Sequence, residues 1–177
     1  TEQVATETSL LITNPADNTI FTPETTEVPV NVSISNFNLS ADNGSGASDG
    51  SGDGYIKATF EVTGGTTDVS NFFSTTLPNI QVAAGESYTL TMELVDNTGA
   101  SLSPEVKTTT MFSVGSFTVV ADITTLRAET EGSFYKVTGE VVVTYTTSNR
   151  NQKYIQDASG AILIDDTADV LAPGNYV

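Results

Sequence analysis

Apolar residues recur at every second position through most of this chain, and that rhythm constrains the fold more than any other feature. In VPVNVSI, Val28, Val30, Val32 and Ile34 fall on one side, with Pro29, Asn31 and Ser33 on the other. In YIKATFEV, Ile56, Ala58, Phe60 and Val62 alternate with Tyr55, Lys57, Thr59 and Glu61. YTLTMEL aligns Tyr88, Leu90, Met92 and Leu94, and VKTTTMFSV repeats the pattern less cleanly through Val106, Thr108, Thr110, Phe112 and Val114. A period of two belongs to strands, whose side chains point alternately to opposite faces, whereas a helix repeats near 3.6. Pro29 cannot donate to a ladder and so predicts an edge or a strand start. Turn residues separate the runs at Asn14-Pro15, Gly64-Gly65, Ala84-Gly85-Glu86 and Asp96-Asn97-Thr98-Gly99. Roughly seven short strands so spaced predict an all-β fold with a β-sandwich over residues 8–117, after a tail at 1–7.

The composition changes after Val114. Residues 118–177 are predicted to form a second β module, the first part of a small barrel. GSFTVVADITTLRAETEGS reads as a connector with one helical turn, for which Asp122 is the N-cap and Ile123 and Leu126 share a face. A long strand, FYKVTGEVVVTYTT, follows. It would carry Tyr135, Val137, Val141, Val143 and Tyr145 on one face and bend at Gly139. KYIQDASGAILIDD then predicts a hairpin: strand Lys153–Gln156, a turn over Asp157–Gly160 with Gly160 at positive φ, and strand Ala161–Ile164. There Ile162 and Ile164 share a face opposite Leu163. The glycine- and serine-rich segment Ala41–Gly54 has too little apolar surface to pack and is expected to be a mobile loop.

Several chemistries are excluded within these 177 residues. The chain holds no Cys, His or Trp. No disulfide, thiolate nucleophile or Ser-His-Asp triad can be assembled, and the commonest zinc ligands are missing. Asp165 and Asp166 are adjacent on a strand and point apart, so they cannot share the gap of roughly 5–9 Å that paired glycosidase carboxylates flank. The residues are therefore expected to be non-catalytic. Acidic residues number 22 against 6 basic, for a net charge of -16. That field repels phosphate backbones and anionic lipid, so nucleic acid is disfavoured as a partner. The imbalance is steeper before Thr118, with 14 acids against 2 bases, than after it, with 8 against 4. No apolar run approaches the roughly 20 residues of a membrane-spanning helix, and TEQVATETSLLIT lacks the basic start and apolar core of a signal peptide. The acidic, Thr/Ser/Asn/Gly-rich composition suits an extracellular or cell-surface location after export, with any leader preceding Thr1.

Two stretches also carry a resemblance. SNFNL, GDGYIKATFEVTGG and GESYTLTMELVDNTGASLSPEV, followed by TTTMFSV, resemble an immunoglobulin-like module of secreted multidomain proteins of Bacteroidetes. The matching positions run through Asn36-Phe37, Asp53-Gly54-Tyr55-Ile56, Glu93-Leu94-Val95-Asp96-Asn97 and Phe112. Tyr55 and Tyr88 stand where such modules often have His. From Ile123 onward, the chain is similar to OB-fold-like domains of the same type IX secretion substrates, which often precede lamin-tail or nuclease domains. IQDASGAILIDD is the most specific piece. The resemblance implies structural or adhesive modules of a secreted or surface protein. Its rivals are accessory binding domains of an exported nuclease or other hydrolase, or a subunit of a surface assembly joined by strand pairing. Expected partners are further domains of the same longer chain or neighbouring surface proteins. An OB barrel has five strands and about three fit here, so the chain is expected either to be a fragment of a longer protein or to have its end completed by another segment.

Three candidate sites follow. Asp42, Asp49 and Asp53, with Asn43, could supply some of the six to eight oxygens that calcium takes, although their spacing does not fit an EF-hand loop; calcium is the one cofactor considered. Tyr145, Arg150, Lys153 and Tyr154 gather aromatic and basic groups around one hairpin, the means by which OB barrels hold ligands. Asp166-Thr167-Ala168 matches the short pattern of Bacteroidetes O-glycosylation, with Thr167 as the acceptor.

Overall fold

The computed structural model describes residues 7–148, 150 and 152–165. It divides into two compact units at Ser116/Phe117. Among the described residues it is mostly β, with several sheets, one short helix and no closed barrel.

Unit 1 contains β1 (Ser9–Asn14), β2 (Thr19–Phe21), β3 (Glu27–Val28), β4 (Asn31–Ser35), β5 (Gly54–Val62), β6 (Thr67–Phe72), β7 (Ile80–Gln81), β8 (Ser87–Asp96) and β9 (Ser101–Val114). A five-stranded sheet has the order β2-β9-β8-β5-β6, and two-stranded sheets β1-β4 and β3-β7 complete the unit. All share one core, to which β5 contributes Ile56 and Ala58, β8 contributes Tyr88, Leu90, Met92 and Leu94, and the smaller sheets contribute Leu10, Ile12 and Val28, with Val30 beside them. The alternation read from sequence thus gives the core face directly. Ile56 and Leu94 are completely buried, and burying one such side chain is worth roughly 1.5–3 kcal/mol. Phe60 stacks on Tyr88 with ring centroids 5.2 Å apart, and Tyr88 on Phe112 at 5.3 Å. The Tyr88 hydroxyl accepts a hydrogen bond from the Ala83 N–H at 2.7 Å, which satisfies its polar tip inside the core.

Three features of unit 1 differ from expectation. The predicted strand Val28–Ile34 is interrupted at Pro29 and Val30, and it changes partner from β7 to β1 across the break. Proline's missing donor accounts for the switch. Tyr55, on the outward side of β5, is nevertheless buried. Phe73 packs against it with centroids 5.1 Å apart, and the turn at Gly99 closes over its hydroxyl. The Ala41–Gly54 segment is held by side-chain hydrogen bonds rather than hanging free. Asn97, in the β8–β9 turn, accepts from the Ser40 hydroxyl at 2.6 Å and from the Ser48 hydroxyl, and donates to the Gly52 carbonyl at 2.9 Å. Composition shows that this segment cannot form a core; it does not show that a distant asparagine clasps it.

Unit 2 contains β10 (Phe117–Val120), α1 (Ile123–Leu126), β11 (Phe134–Val137), β12 (Val142–Thr146), β13 (Gln152–Gln156) and β14 (Ala161–Asp165). The Asp122 carboxylate caps α1 by accepting from Thr125 N–H at 2.7 Å, as predicted. The expected long strand is in fact two. β11 pairs parallel with β10, β12 pairs antiparallel with β13, and Gly139 lies in the break between them. A β-carbon at Gly139 would sit 2.9 Å from the Ala121 carbonyl oxygen, so the chain needs glycine where these backbones meet. β13 and β14 form the predicted hairpin, with Ile155 opposite Ile162 and Tyr154 opposite Leu163. Ile123, Val141, Val143 and Ile155 form the core, and Ile162 and Ile164 pack on it. Gly160 does not take the expected positive φ. A β-carbon there would meet the Thr124 Oγ1 at 3.4 Å, an ordinary contact, so neither backbone conformation nor space demands glycine at this position.

Candidate functional site

The outer face of the β12-β13-β14 sheet carries the most distinctive surface chemistry of unit 2. Strict alternation from Val143 would send Tyr145 into the core. The β12–β13 register shifts between Val143 and Tyr145, which leaves Thr144 as the extra residue of a bulge. Val143 stays fully buried while Tyr145 turns out, 59% exposed, opposite Tyr154. The Thr144 hydroxyl fixes the irregularity by donating to the Tyr154 carbonyl at 3.0 Å. The two tyrosine rings lie 5.8 Å apart at 50°, forming a shallow V.

The rest of the face follows from the pleat. Leu163 stands across from Tyr154 on β14 and is exposed. Gln152 and Gln156 lie two positions either side of Tyr154 and so share its face. Arg150 takes positive φ in the turn before β13 and forms an ion pair with Asp165. The two charges at this end of the face therefore neutralise each other. Lys153 is the correction to the predicted set. Adjacent to Tyr154, it points to the opposite face, and it is 1% exposed between the strand positions of Thr146 and Ile164. The structure brings Tyr145, Arg150 and Tyr154 to one surface and removes Lys153 from it. Residue type alone does not point to Gln152 or Gln156, although counting by twos from Tyr154 reaches both, and Leu163 takes the face opposite Ile162 and Ile164, as its place in the alternation predicts.

The acidic loop is arranged otherwise than a metal cage. Asp42 accepts from the N–H groups of Gly44 and Gly46, each at 2.9 Å. Asp49 accepts from Ser51 N–H at 2.9 Å and Ala41 N–H at 3.2 Å, and Asp53 from Asn38 N–H at 2.8 Å. Asp42 and Asp49 serve their own turns, Asp53 ties the end of the loop back to Asn38, and among the described residues no three acidic side chains converge as a metal site. The Ser51 hydroxyl, with backbone donors, holds the Asp49 carboxyl below its ordinary pKa. Asp96 is lowered in the same way by the Thr98 hydroxyl and the N–H groups of Ala100 and Thr98.

Asp157 shows the strongest such effect. The Ser159 hydroxyl, 2.6 Å away, and the N–H groups of Ile123, Ser159 and Gly160 bring its pKa from an ordinary 3.8 to about 2. This aspartate shapes its turn, as its sequence position predicts, and also ties the turn to the start of α1. Asp166 and Thr167 lie outside the described residues. No helix among the described residues is long and apolar enough to cross a membrane. Comparison of the chain with known protein families, curated proteins and solved structures finds no match.

Proposed function

We propose that these residues are non-catalytic β modules of a secreted or cell-surface bacterial protein, an immunoglobulin-like sandwich followed by the first strands of an OB-like barrel. In this reading the chain is adhesive, and the outer face of β12–β14 contacts neutral glycan. The observation that carries the adhesive reading is the pair of exposed rings, Tyr145 and Tyr154, turned to the same face by a bulge. A pyranose presents a C–H face to an aromatic ring and hydroxyls at its rim, where Gln152, Gln156 and the Arg150–Asp165 pair offer donors and acceptors. The net charge of -16 disfavours a polyanionic ligand. Two β layers about one core support the first module, and the β12–β14 meander with Gly139 at its approach supports the second. Export rests on composition and resemblance.

Titration of the chain with soluble neutral glucans, xylans and mannans, with polyuronate and single-stranded DNA alongside, tests this reading. Saturable binding to a neutral polysaccharide is expected, little changed by salt, lost in Tyr154→Ala and weakened in Tyr145→Ala. Binding to none of the neutral polymers, or salt-sensitive binding to the DNA alone, would overturn it.

A further inference from the structure

A second surface, in unit 1, goes beyond that reading. β6 ends the five-stranded sheet. One of its sides pairs with β5, and among the described residues no strand pairs with the other. The register sets Asp68 opposite Phe60, Ser70 opposite Ala58 and Phe72 opposite Ile56, so these β6 side chains point to the core layer. The neighbouring inward positions on β5 and β8 are filled by Phe60, Leu90 and Met92, whereas Asp68 and Ser70 are too small and too polar to complete the layer. A cavity of about 280 Å³ results, bounded by Phe60, Met92, Leu77 and Ile80 and bordered by Asp68 and Ser70.

We propose that the β6 edge and this slot dock an extended segment of another protein, with aliphatic residues at successive inward positions followed by a lysine or arginine that meets Asp68. Three observations select this occupant. The free edge offers main-chain hydrogen bonds, the usual source of affinity when a strand is added, and the slot offers side-chain selection. The slot is lined mainly by apolar side chains, among them Phe60, Leu77, Ile80 and Met92, and its volume suits one or two aliphatic side chains. Among the described residues, Asp68 is the only charged one lining it, and the unit's two lysines, Lys57 and Lys107, lie on the other face of the sheet in one row with Glu93. An inward charge at a sheet edge blunts indiscriminate pairing; here it also makes the edge selective for a cation. A second copy of β6 brings another aspartate and no cation.

The test uses the whole chain and blocked synthetic peptides that carry valine, valine and then lysine at successive inward positions, with threonine between. A second series has glutamate in place of lysine. Saturable binding of the lysine peptide is expected, with amide shifts concentrated on β6 and Leu77–Gln81. Asp68→Lys, an exposed change that leaves the core intact, should weaken the lysine peptide by about tenfold or more and favour the glutamate peptide. Ser70→Phe should fill the slot and abolish both. No saturable binding, indifference to the Asp68→Lys exchange, shifts confined to the Tyr145–Tyr154 face, or self-association of the free chain through β6 would each overturn the proposal. None of these readouts depends on glycan binding, so the two readings fail separately.

Discussion

The two units hold themselves together by different means. Unit 1 draws buried apolar side chains from its five-stranded sheet and both smaller sheets and adds a chain of stacked rings through Phe60, Tyr88 and Phe112. Among the described residues, unit 2 has a core cluster of four buried apolar residues. It supplements them with polar ties that cross the unit: Asp157 to the Ile123 N–H, and Ser159 to both the N–H and the hydroxyl of Thr124. Small cores bury a smaller fraction of their surface and lean on other fastenings. Damage to packing should therefore cost unit 1 at least as much as unit 2, and unit 2 should be the more sensitive of the two to loss of a few hydrogen bonds.

The largest effect is expected where backbones touch. A β-carbon at Gly54 would lie 1.8 Å from the Val95 carbonyl oxygen, so Gly54→Ala should cost about 4 kcal/mol or more, or prevent pairing of β5 with β8. Hydrogen exchange of the β8 amides measures this. Next come paired truncations in the two cores. Leu94→Ala in unit 1 and Ile155→Ala in unit 2 should each cost about 2–5 kcal/mol in denaturant unfolding, with loss of protection confined to the altered unit. A smaller cost for Leu94→Ala than for Ile155→Ala would break the contrast drawn above.

A further test concerns the ties. Asp157→Ala should speed exchange of the Ile123, Ser159 and Gly160 amides by roughly tenfold while leaving β5 and β8 unchanged. Unaltered exchange at Ile123 would show that the tie contributes nothing. The smallest effect is one of pH. Because folding lowers the Asp157 pKa from 3.8 to about 2, the charged form is favoured in the folded state. Its contribution is fully present above about pH 4 and is lost as the pH falls through about 2. An NMR titration of the Ser159 and Gly160 amides should show this local loosening, and Asp157→Asn should remove it.

Much of this architecture is legible in the sequence, because a two-residue repeat is a local signal. Val28, Ile56, Ala58, Leu90, Met92 and Leu94 are recovered as core from alternation alone. Asp122, Asp157 and the Asp96–Gly99 turn are recovered from side chains that bond nearby backbone. What escapes is non-local. Alternation cannot reveal that β10 and β11 pair parallel, that Phe73 covers Tyr55, or that Asn97 fastens a loop more than forty residues upstream. The candidate site was half visible. Tyr145, Arg150 and Tyr154 were found by residue type, but pleat parity removes Lys153, and Tyr145 reaches the surface only because Thr144 breaks the count.

That single extra residue has a consequence for how the surface can change over generations. With Thr144 deleted, Val143 and Tyr145 would become neighbours on a plain strand, one inward and one outward, so the ring would keep its side opposite Tyr154 while the bulge and the hydroxyl tie to the Tyr154 carbonyl were lost. The loss of that one codon would thus leave the aromatic contact surface in place, with no substitution needed at either tyrosine. An alignment column at Thr144, occupied or gapped, should accordingly not separate chains that keep this face from chains that have lost it.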